Sequence, residues 1–342
     1  GNFVGAGVNV VTKSGTNEFS GSLYYQFRDN SMVGKKAGDA DFDPGEFNYS
    51  QIGARLGGPI IKNKLFFFAN YEKDELSTPG TTFRANKGGE TVGGGITRVL
   101  ESDLQEISAF VRDNFGYETG PYAGYSNTTP STRFLGRLDF NASERSKFSV
   151  RYTHLDAVTD NLVSNSSSLG FGNRRTNQNA MSFENSGYGQ LENIRSIVGE
   201  WNASIGSNKA NNLIIGYTSH DESREQKAGV FPTVDILKDG LTYINLGTDP
   251  FTPSNQLRYN SLQFQNNFTI FGNRHDWTFG ASAELYKAEN VFFPGSQSVY
   301  VYNSLDDFYT DANDYLANPN RTTSPVALER FQLRWANVPG MT

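Results

Sequence analysis

The segments of this chain that are predicted to form β-strands come in pairs, and the links between segments alternate in length. Within a pair the link is a few residues, whereas successive pairs are separated by about thirty to fifty residues. The clearest pairs are 133–140 with 147–156, 195–205 with 211–220, and 257–270 with 276–289. A meander with short turns at one end and long loops at the other is typical of an outer-membrane β-barrel. A soluble sandwich has no reason to keep every second loop short.

Apolar and polar residues alternate along these segments, which places them on opposite faces of a sheet. A soluble sheet with one face in water would show the same alternation, so this pattern alone does not decide between the two folds. Aromatic residues near strand ends favour the membrane barrel, where they form girdles at the lipid–water interfaces. These residues are Phe140, Phe148, Trp201 and Trp277. Counted from Phe19, the sequence predicts about nine strands of an all-β, antiparallel transmembrane β-barrel.

Composition supports a membrane barrel and excludes several other classes. Aromatic residues make up 13% of the 342 residues, and no apolar run approaches the ~18 residues of a transmembrane helix. The longest apolar run spans only residues 65–69, so a membrane protein of this kind must be a closed barrel. A net charge of −6 argues against nucleic acid as a partner. The absence of cysteine excludes disulfides and cysteine-based metal sites.

The longest link between strands, residues 77–131, contains the one segment with a helical pattern. Ser102 followed by Gln105 matches a capping box, and Gly116 suits a helix C-terminus. The apolar residues between them follow helical spacing, and they are Leu104, Ile107, Phe110 and Val111. The sequence therefore predicts one short helix within a long loop.

Two segments resemble parts of a known family. Residues 7–22, GVNVVTKSGTNEFSGS, resemble the junction between plug and first barrel strand in TonB-dependent outer-membrane receptors. Residues 56–72, LGGPIIKNKLFFFANYE, are similar to the hairpin of the second and third strands in the Oar-like branch, which carries an N-terminal carboxypeptidase-regulatory-like domain. The helix-bearing loop at 96–122 is similar in kind. Beyond it, the likeness is in layout more than in motif.

The resemblance implies a 22-stranded barrel whose lumen is filled by a plug. Residues 1–18 would be the end of the plug domain and the plug–barrel junction, and residues 19–342 the N-terminal part of the transmembrane barrel. Both ends of the sequence look truncated, so we expect the chain to be a fragment of a longer protein. The implied function is a receptor and transporter in the Gram-negative outer membrane, without enzymatic activity. Its implied partners are outer-membrane lipid, an unknown extracellular ligand and a TonB-type energy-coupling protein, whose contact region would lie outside this chain.

Six charged residues fall on the polar face of the predicted strands, and in a barrel they would line the lumen. They are Arg55, Arg137, Asp139, Arg151, Glu200 and Glu284. Charged residues within a membrane protein are functional candidates. A plugged lumen also supplies a structural role for them, which is contact with the plug and with one another. Both roles, structural contact and a substrate path, stay open at this point.

Other candidate chemistry is sparse. Asp39, Asp41 and Asp43 alternate before a glycine and form a candidate Ca²⁺ loop, although the EF-hand pattern is not met. The three histidines, His154, His220 and His275, are isolated, with no second histidine or carboxylate at a ligand spacing. No nucleophile elbow, phosphate-binding loop or zinc-protease motif is present. The sequence therefore predicts no cofactor and no catalytic residue.

The long links would all face the outside of the cell, and they are rich in tyrosine and asparagine. They span 29–47, 77–131, 157–189, 221–256 and 291–330. Aromatic pairs within them, Tyr117 with Tyr122 and Tyr300 with Tyr302, can stack on sugars or peptides, or can pack the loops together. Specificity would lie in these loops and in the plug.

Three other functions compete with the receptor. A barrel of the same fold can serve protein export or surface assembly, which needs the same wall. A soluble or surface-attached β-rich adhesin is a second alternative, but it predicts loop lengths that vary freely. A carbohydrate-active enzyme requires paired carboxylates in one cleft, and no compelling pair is found.

Overall fold

The structure is a computed structural model that describes residues 11–41 and 45–335. Its main feature, called here the wall, is an antiparallel sheet of nine long strands, each paired with the next along the chain. The strands are β1 (Ser20–Asp29), β2 (Asn48–Ile61), β3 (Leu65–Pro79), β4 (Ser126–Ser143), β5 (Ser146–Asn161), β6 (Tyr188–Ile205), β7 (Lys209–Asp221), β8 (Asn255–Phe271) and β9 (Asp276–Phe292). A short strand, Arg224–Gln226, also pairs with one end of β6.

The links between wall strands alternate in length as predicted. Short turns join β2 to β3, β4 to β5, β6 to β7 and β8 to β9. Two of these turns contain a residue with positive φ, Asn63 at 63° and Gly206 at 65°, in a backbone region that Asn and Gly tolerate. The other four links are long and leave from the opposite end of the sheet. The predicted antiparallel architecture of about nine strands is therefore confirmed.

One face of the wall carries rows of apolar side chains that stay exposed. Backbone pairing aligns one such row across eight strands: Leu56, Ala69, Gly136, Tyr152, Ile197, Tyr217, Leu262 and Leu285. Leu285 is 70% exposed and the large side chains of the row on β5 to β8 are also exposed. A continuous apolar surface of this extent is suited to contact with lipid rather than water.

Aromatic side chains form a belt on this face beside the short turns. Phe140, Phe148 and Trp201 are cross-strand neighbours, with ring centroids 6.4 Å and 6.1 Å apart. The Trp201 indole N–H donates to the Ser146 hydroxyl at 2.9 Å. Trp277 lies at the same end of β9. The two tryptophans, with an apolar ring and a polar N–H, suit a lipid–water interface.

The wall does not close on itself within the described residues. Its strand order runs in a line from β1 to β9, so each of these two strands pairs on one side only. All residues of β9 are exposed. An unpaired strand edge is not tolerated in lipid, because its N–H and C=O groups find no partner there.

The long links fold into a second layer, called here the cap. It contains helix α1 (Glu101–Phe115), helix α2 (Leu305–Ala317) and a mixed sheet built from three different links. This sheet has the strand order Met181–Ser182, Leu241–Leu246, Thr233–Lys238, Val299–Tyr302 and Arg330–Gln332. Smaller elements are the strand pairs Arg84–Asn86 with Ile96–Leu100 and Lys36–Ala37 with Ala40–Asp41, and single 3-10 turns at Asn30–Met32 and Glu184–Ser186.

The described hydrophobic core lies mainly in the cap. Helix α1 buries Leu104, Ile107 and Val111, which follow the predicted helical spacing. They belong to one cluster with residues from the mixed sheet and from α2, including Met181, Ile236, Ile244, Leu246 and Phe308. The cap is therefore a folded unit with its own interior, and the described wall strands contribute few buried apolar side chains.

The predicted helix is confirmed, but its predicted N-terminal cap is wrong. Gly116 takes the left-handed conformation at φ 66°, as the C-terminal signal indicated. At the other end the helix begins at Glu101, directly after the strand Ile96–Leu100, and no side chain caps it. Ser102 lies inside the first turn and donates to Asp103 instead. The adjoining strand sets this boundary, so the tertiary fold overrides the capping pattern.

Helix α2 was not predicted, because residues 291–330 were assigned to a loop. The Ser304 hydroxyl accepts a hydrogen bond from the Asp307 backbone N–H at 3.1 Å, which caps the helix. Ser304 before an acidic first turn is a recognisable start signal, so the sequence did contain the information. No helix among the described residues is long and apolar enough to cross a membrane.

A fully buried ion pair joins two cap segments. The Arg174 guanidinium contacts the Asp235 carboxylate at 2.8 Å, and both side chains are 0% exposed. The remaining Arg174 donors bond to carbonyl oxygens of its own loop, those of Ser164, Ser166 and Leu169. Asp235 also accepts from the Asn245 amide at 2.9 Å. A buried pair is tolerated when hydrogen bonds satisfy its remaining groups, as they do here.

We expect Asp235→Asn to destabilise the cap by about 3–5 kcal/mol, because it leaves the buried Arg174 charge without a counter-charge. Proteolysis of the full-length protein in detergent should then cleave the cap links faster. The control is Asp239→Asn, which removes an 81% exposed carboxylate beside Arg98, a type of pair worth under about 1 kcal/mol. Equal protease resistance of the two variants would contradict the prediction.

Candidate functional site

The six charged residues predicted for the polar face lie together on the face opposite the exposed apolar rows. Backbone pairing places Arg137, Arg151 and Glu284 in one cross-strand row, and Asp139 and Glu200 in the next row toward the short turns. Arg55 lies one row further from those turns. The six are distributed over five strands of the wall. They do not gather into one cluster of reactive groups.

Arg137 makes the most contacts of the six. Its Nε and Nη2 atoms donate to the Asp139 carboxylate at 2.7 to 3.0 Å, two residues along the same strand face. Its Nη1 atom reaches away from the wall and donates to Thr12, to the hydroxyl at 2.8 Å and to the carbonyl oxygen at 3.2 Å. Asp139 therefore fixes the guanidinium so that its free edge holds a segment that precedes the first strand.

Residues 13–17 continue this attachment to the wall. Asn17 and Asn63 bond reciprocally: the Asn17 amide donates to the Asn63 side chain at 2.6 Å, and the Asn63 backbone N–H donates to Asn17 at 2.7 Å. Gly15 lies so close to β2 that an added Cβ would fall 2.8 Å from the Gly58 carbonyl oxygen. A glycine is required there, since any side chain would displace the segment from the wall.

Three of the other candidates have polar partners on the wall itself. The Arg55 Nε donates to the Ser22 hydroxyl at 2.9 Å. The Glu200 carboxylate accepts from the amides of Asn202 and Asn212 at 2.9 and 2.8 Å. The Glu284 carboxylate accepts from Ser261 at 2.5 Å and Gln263 at 3.1 Å.

Arg151 differs from the other five candidates. Within the described part of the chain its guanidinium takes part in no hydrogen bond or ion pair, although it pairs directly across the sheet with Arg137. Two guanidinium groups in one row repel each other unless anions compensate them. Asp139 compensates Arg137, whereas no described residue compensates the Arg151 guanidinium.

Sequence reasoning missed a second polar group on the same face. The Tyr24 hydroxyl crosses Gly53 on the neighbouring strand and donates to the Glu72 carboxylate on the strand beyond, at 2.9 Å. A Cβ at Gly53 would enter the Tyr24 ring. Arg133 on β4 lies directly opposite Glu72 and forms an ion pair at 2.5 Å with Asp74, two residues further along β3. Residue alternation indicated the face, but only the register brings these residues together.

The isolation predicted for the histidines is wrong for two of them. The His154 Nε2 atom lies 2.8 Å from the Asp156 carboxylate. The His220 Nε2 atom lies 3.3 Å from Glu222, and its ring also contacts the Tyr259 hydroxyl. Both carboxylates follow the histidine by two residues, the spacing that puts side chains on one face of a strand. This signal was present in the sequence.

The candidate Ca²⁺ loop is not tested by the structure. Asp39 is described, whereas Asp43 and the side chain of Asp41 lie outside the described residues. Elsewhere in residues 11–41 and 45–335, no group of three His, Cys, Asp or Glu side chains is placed to hold a metal ion.

The aromatic pairs of the long links pack the cap together. Tyr117 stacks on Phe231 with ring centroids 4.4 Å apart, and burial raises the pKa of Tyr117. Tyr122 meets Phe183 edge to face at 6.1 Å. For Tyr117 and Tyr122, the contacts therefore support packing between loops, one of the two predicted roles. Tyr300 and Tyr302 stack on each other at 6.1 Å, and both border a cavity.

The chain matches a known protein family over most of its length. The family is described as outer membrane beta barrel domain, and the match covers residues 11–87 and 102–333. The TonB-dependent transporter Oar of Myxococcus xanthus is 36% identical over 77 residues, which cover 21% of this chain and 7% of that protein.

A solved structure shares the fold. The outer membrane transporter YddB from Escherichia coli superposes with a TM-score of 0.52 over 84% of this chain, which corresponds to 33% of that chain. Sequence identity is 11%, so this likeness shows the fold alone. This chain therefore spans about a third of that transporter and a smaller share of the curated relative.

We expect Arg137→Met to release residues 11–17 from the wall, because it removes charge-assisted hydrogen bonds worth roughly 1.5–3 kcal/mol each. Amide hydrogen exchange of these residues, measured on the full-length protein in detergent, should be about tenfold faster or more. The matched control is Arg151→Met, which removes the neighbouring guanidinium of the same row but no contact to Thr12. Unchanged exchange in Arg137→Met would show that the segment is held by other contacts.

Proposed function

We propose, from the premise that this chain belongs to the outer membrane beta barrel domain family, that it forms part of a TonB-dependent outer-membrane transporter. The transporter binds an extracellular ligand at the cap and admits it through a barrel filled by a plug. The nine strands are one sector of the barrel wall, and other strands complete the ring that β1 and β9 leave open.

The location rests on the family match. The matching family is described as an outer membrane beta barrel domain, and the chain lies in the outer membrane of a Gram-negative cell; the shared fold of a solved outer membrane transporter agrees with this. The exposed apolar rows of the wall contact lipid there. A soluble adhesin would have to bury those rows against a second sheet, and none covers them among the described residues.

The attachment of residues 11–17 to the polar face is the observation that carries the transporter proposal. A plugged transporter must anchor its plug to the inner face of the barrel, and a segment of the chain bonded to the polar face is what such an anchor requires. Arg137 donates a hydrogen bond to Thr12, and Asn63 donates one to Asn17, just before the chain enters β1. These contacts support residues 11–18 as part of the predicted junction between plug and barrel, whereas residues 1–10 of the predicted plug end lie outside the described residues.

On this proposal the polar face lines the lumen. Arg137 and Asp139 hold the junction, and the contacts of Arg55, Glu200 and Glu284 with wall residues make those three structural. Arg151 is the exception, since its guanidinium is available to a plug residue or to a passing ligand. The proposed activity is binding and gated passage, with no covalent chemistry.

Opening the lumen requires work on the plug, because the plug is bonded to the wall. A TonB-type partner in the inner membrane would supply that work, as the relationship to the Oar transporter suggests. No residue of this chain is assigned to the contact with that partner. The ligand is bound at the cap, on the side of the barrel that faces away from the inner membrane.

The first test is fractionation of the full-length protein, with boiled and unboiled samples compared on a denaturing gel. We expect it in the outer-membrane fraction with heat-dependent mobility, because a closed barrel resists detergent until heating breaks its strand pairing. A heat-independent protein in a soluble fraction would overturn the proposal and favour the β-rich adhesin.

A further inference from the structure

A cavity of about 330 Å³ lies in the cap, between α1, α2 and the mixed sheet. Six aromatic side chains line it: Phe115, Phe231, Tyr300, Tyr302, Phe308 and Tyr315. Its volume lies at the lower end of the range for small-molecule sites, which are mostly apolar with a few placed polar groups. We call this cavity the aromatic pocket.

The rings of the aromatic pocket are held in place by one another. Phe115 contacts Phe231 at 6.0 Å and Tyr315 at 6.4 Å, measured between ring centroids. Tyr302 meets Phe308 edge to face at 5.5 Å. These residues come from three different links, so the fold of the whole cap fixes their positions. A pocket whose rings are already in place loses little conformational entropy on binding.

The polar groups of the aromatic pocket form a compensated pair. The Arg321 guanidinium lies 2.7 Å from the Asp311 carboxylate, whose side chain is 4% exposed. The Tyr302 hydroxyl donates to the same carboxylate at 2.8 Å. Burial and this contact raise the pKa of Tyr302, so its hydroxyl remains a donor at physiological pH.

This charge arrangement disfavours ionic ligands. An anion would meet the carboxylates of Asp311 and, beside it, Asp314, which pairs with Arg321 at 2.7 Å. A cation would meet the Arg321 guanidinium, which also lies 5.8 Å from the centre of the Tyr315 ring. The pocket therefore offers flat apolar surfaces with hydrogen-bonding groups at one side, and no uncompensated charge within its lining.

We propose that the aromatic pocket binds a neutral oligosaccharide, with one sugar ring stacked on its aromatic side chains. A pyranose ring has an apolar face of C–H groups that packs on aromatic rings, and its hydroxyls can bond to carboxylate, guanidinium and phenol groups. This inference rests on the proposed function, because it assigns the ligand class that the cap receives. A peptide with an aromatic side chain is the main competitor for such a pocket.

Tyr315 is the best residue for a test, because it is 46% exposed and its removal should leave the buried cap core intact. The probe is a glycan array that displays neutral and anionic oligosaccharides, incubated with the full-length protein in detergent. We expect binding to neutral glycans, weakened about tenfold by Tyr315→Ala, since a ring contact is lost. Tyr315→Phe retains the ring and should bind as the unchanged protein does.

The matched control is Leu316→Ala, the next residue of α2, which is 37% exposed and does not line the aromatic pocket. It should leave glycan binding unchanged. The proposal would be overturned if the protein bound no glycan or only anionic glycans. It would also be overturned if Tyr315→Ala bound neutral glycans as tightly as the unchanged protein does. Displacement of a bound neutral glycan by a phenylalanine-containing peptide with no net charge at equal concentration would overturn it as well, since this result would assign the aromatic pocket to peptides.

Failure of this inference is distinguishable from failure of the proposed function. The pocket variants change only cap residues, so outer-membrane location and the heat-dependent gel shift should persist in all of them. If Tyr315→Ala loses glycan binding but keeps the gel shift, the result concerns the aromatic pocket and not the barrel. Absence of the gel shift in the unchanged protein would overturn the transporter proposal, whatever the array result.

Discussion

Backbone hydrogen bonding in lipid is the constraint on which the rest of this structure depends. A strand that crosses the hydrocarbon layer must pair along both edges, because no water is available to its N–H and C=O groups. Strand pairing in chain order satisfies this demand with tight turns at one end, such as the Asn63 and Gly206 turns. The long links are thereby confined to the other end of the wall, where they are free to form a separate folded unit.

The cap and the wall are stabilised by different means. The wall has few buried apolar side chains among the described residues, and its backbone ladder and lipid contacts hold it together. The cap has a conventional interior, which packs α1 and α2 against a mixed sheet and encloses the Arg174–Asp235 ion pair. This division lets the cap vary in sequence and shape without disturbing the wall.

The polar face of the wall also holds the segment that precedes β1. Its charges are mostly satisfied by neighbouring strands, as the contacts of Glu200 and Glu284 illustrate. Arg137 instead extends its guanidinium to Thr12, and Asp139 orients it for that contact. These contacts give Arg137 a structural role on the polar face, whereas a role of this face as the lining of a lumen stays a prediction.

The sequence by itself determined the wall, since residue alternation and link lengths follow from the period of a strand and from closure in lipid. It also identified α1 and the polar face that carries Arg137 and Asp139. Only the tertiary structure brought Thr12 to Arg137, Tyr24 to Glu72 and Arg174 to Asp235. These contacts depend on strand register and on the packing of segments that are far apart in the sequence. The mixed sheet and the aromatic pocket were not predictable for the same reason. Their strands are short and their neighbours come from different loops, so no local pattern reports them.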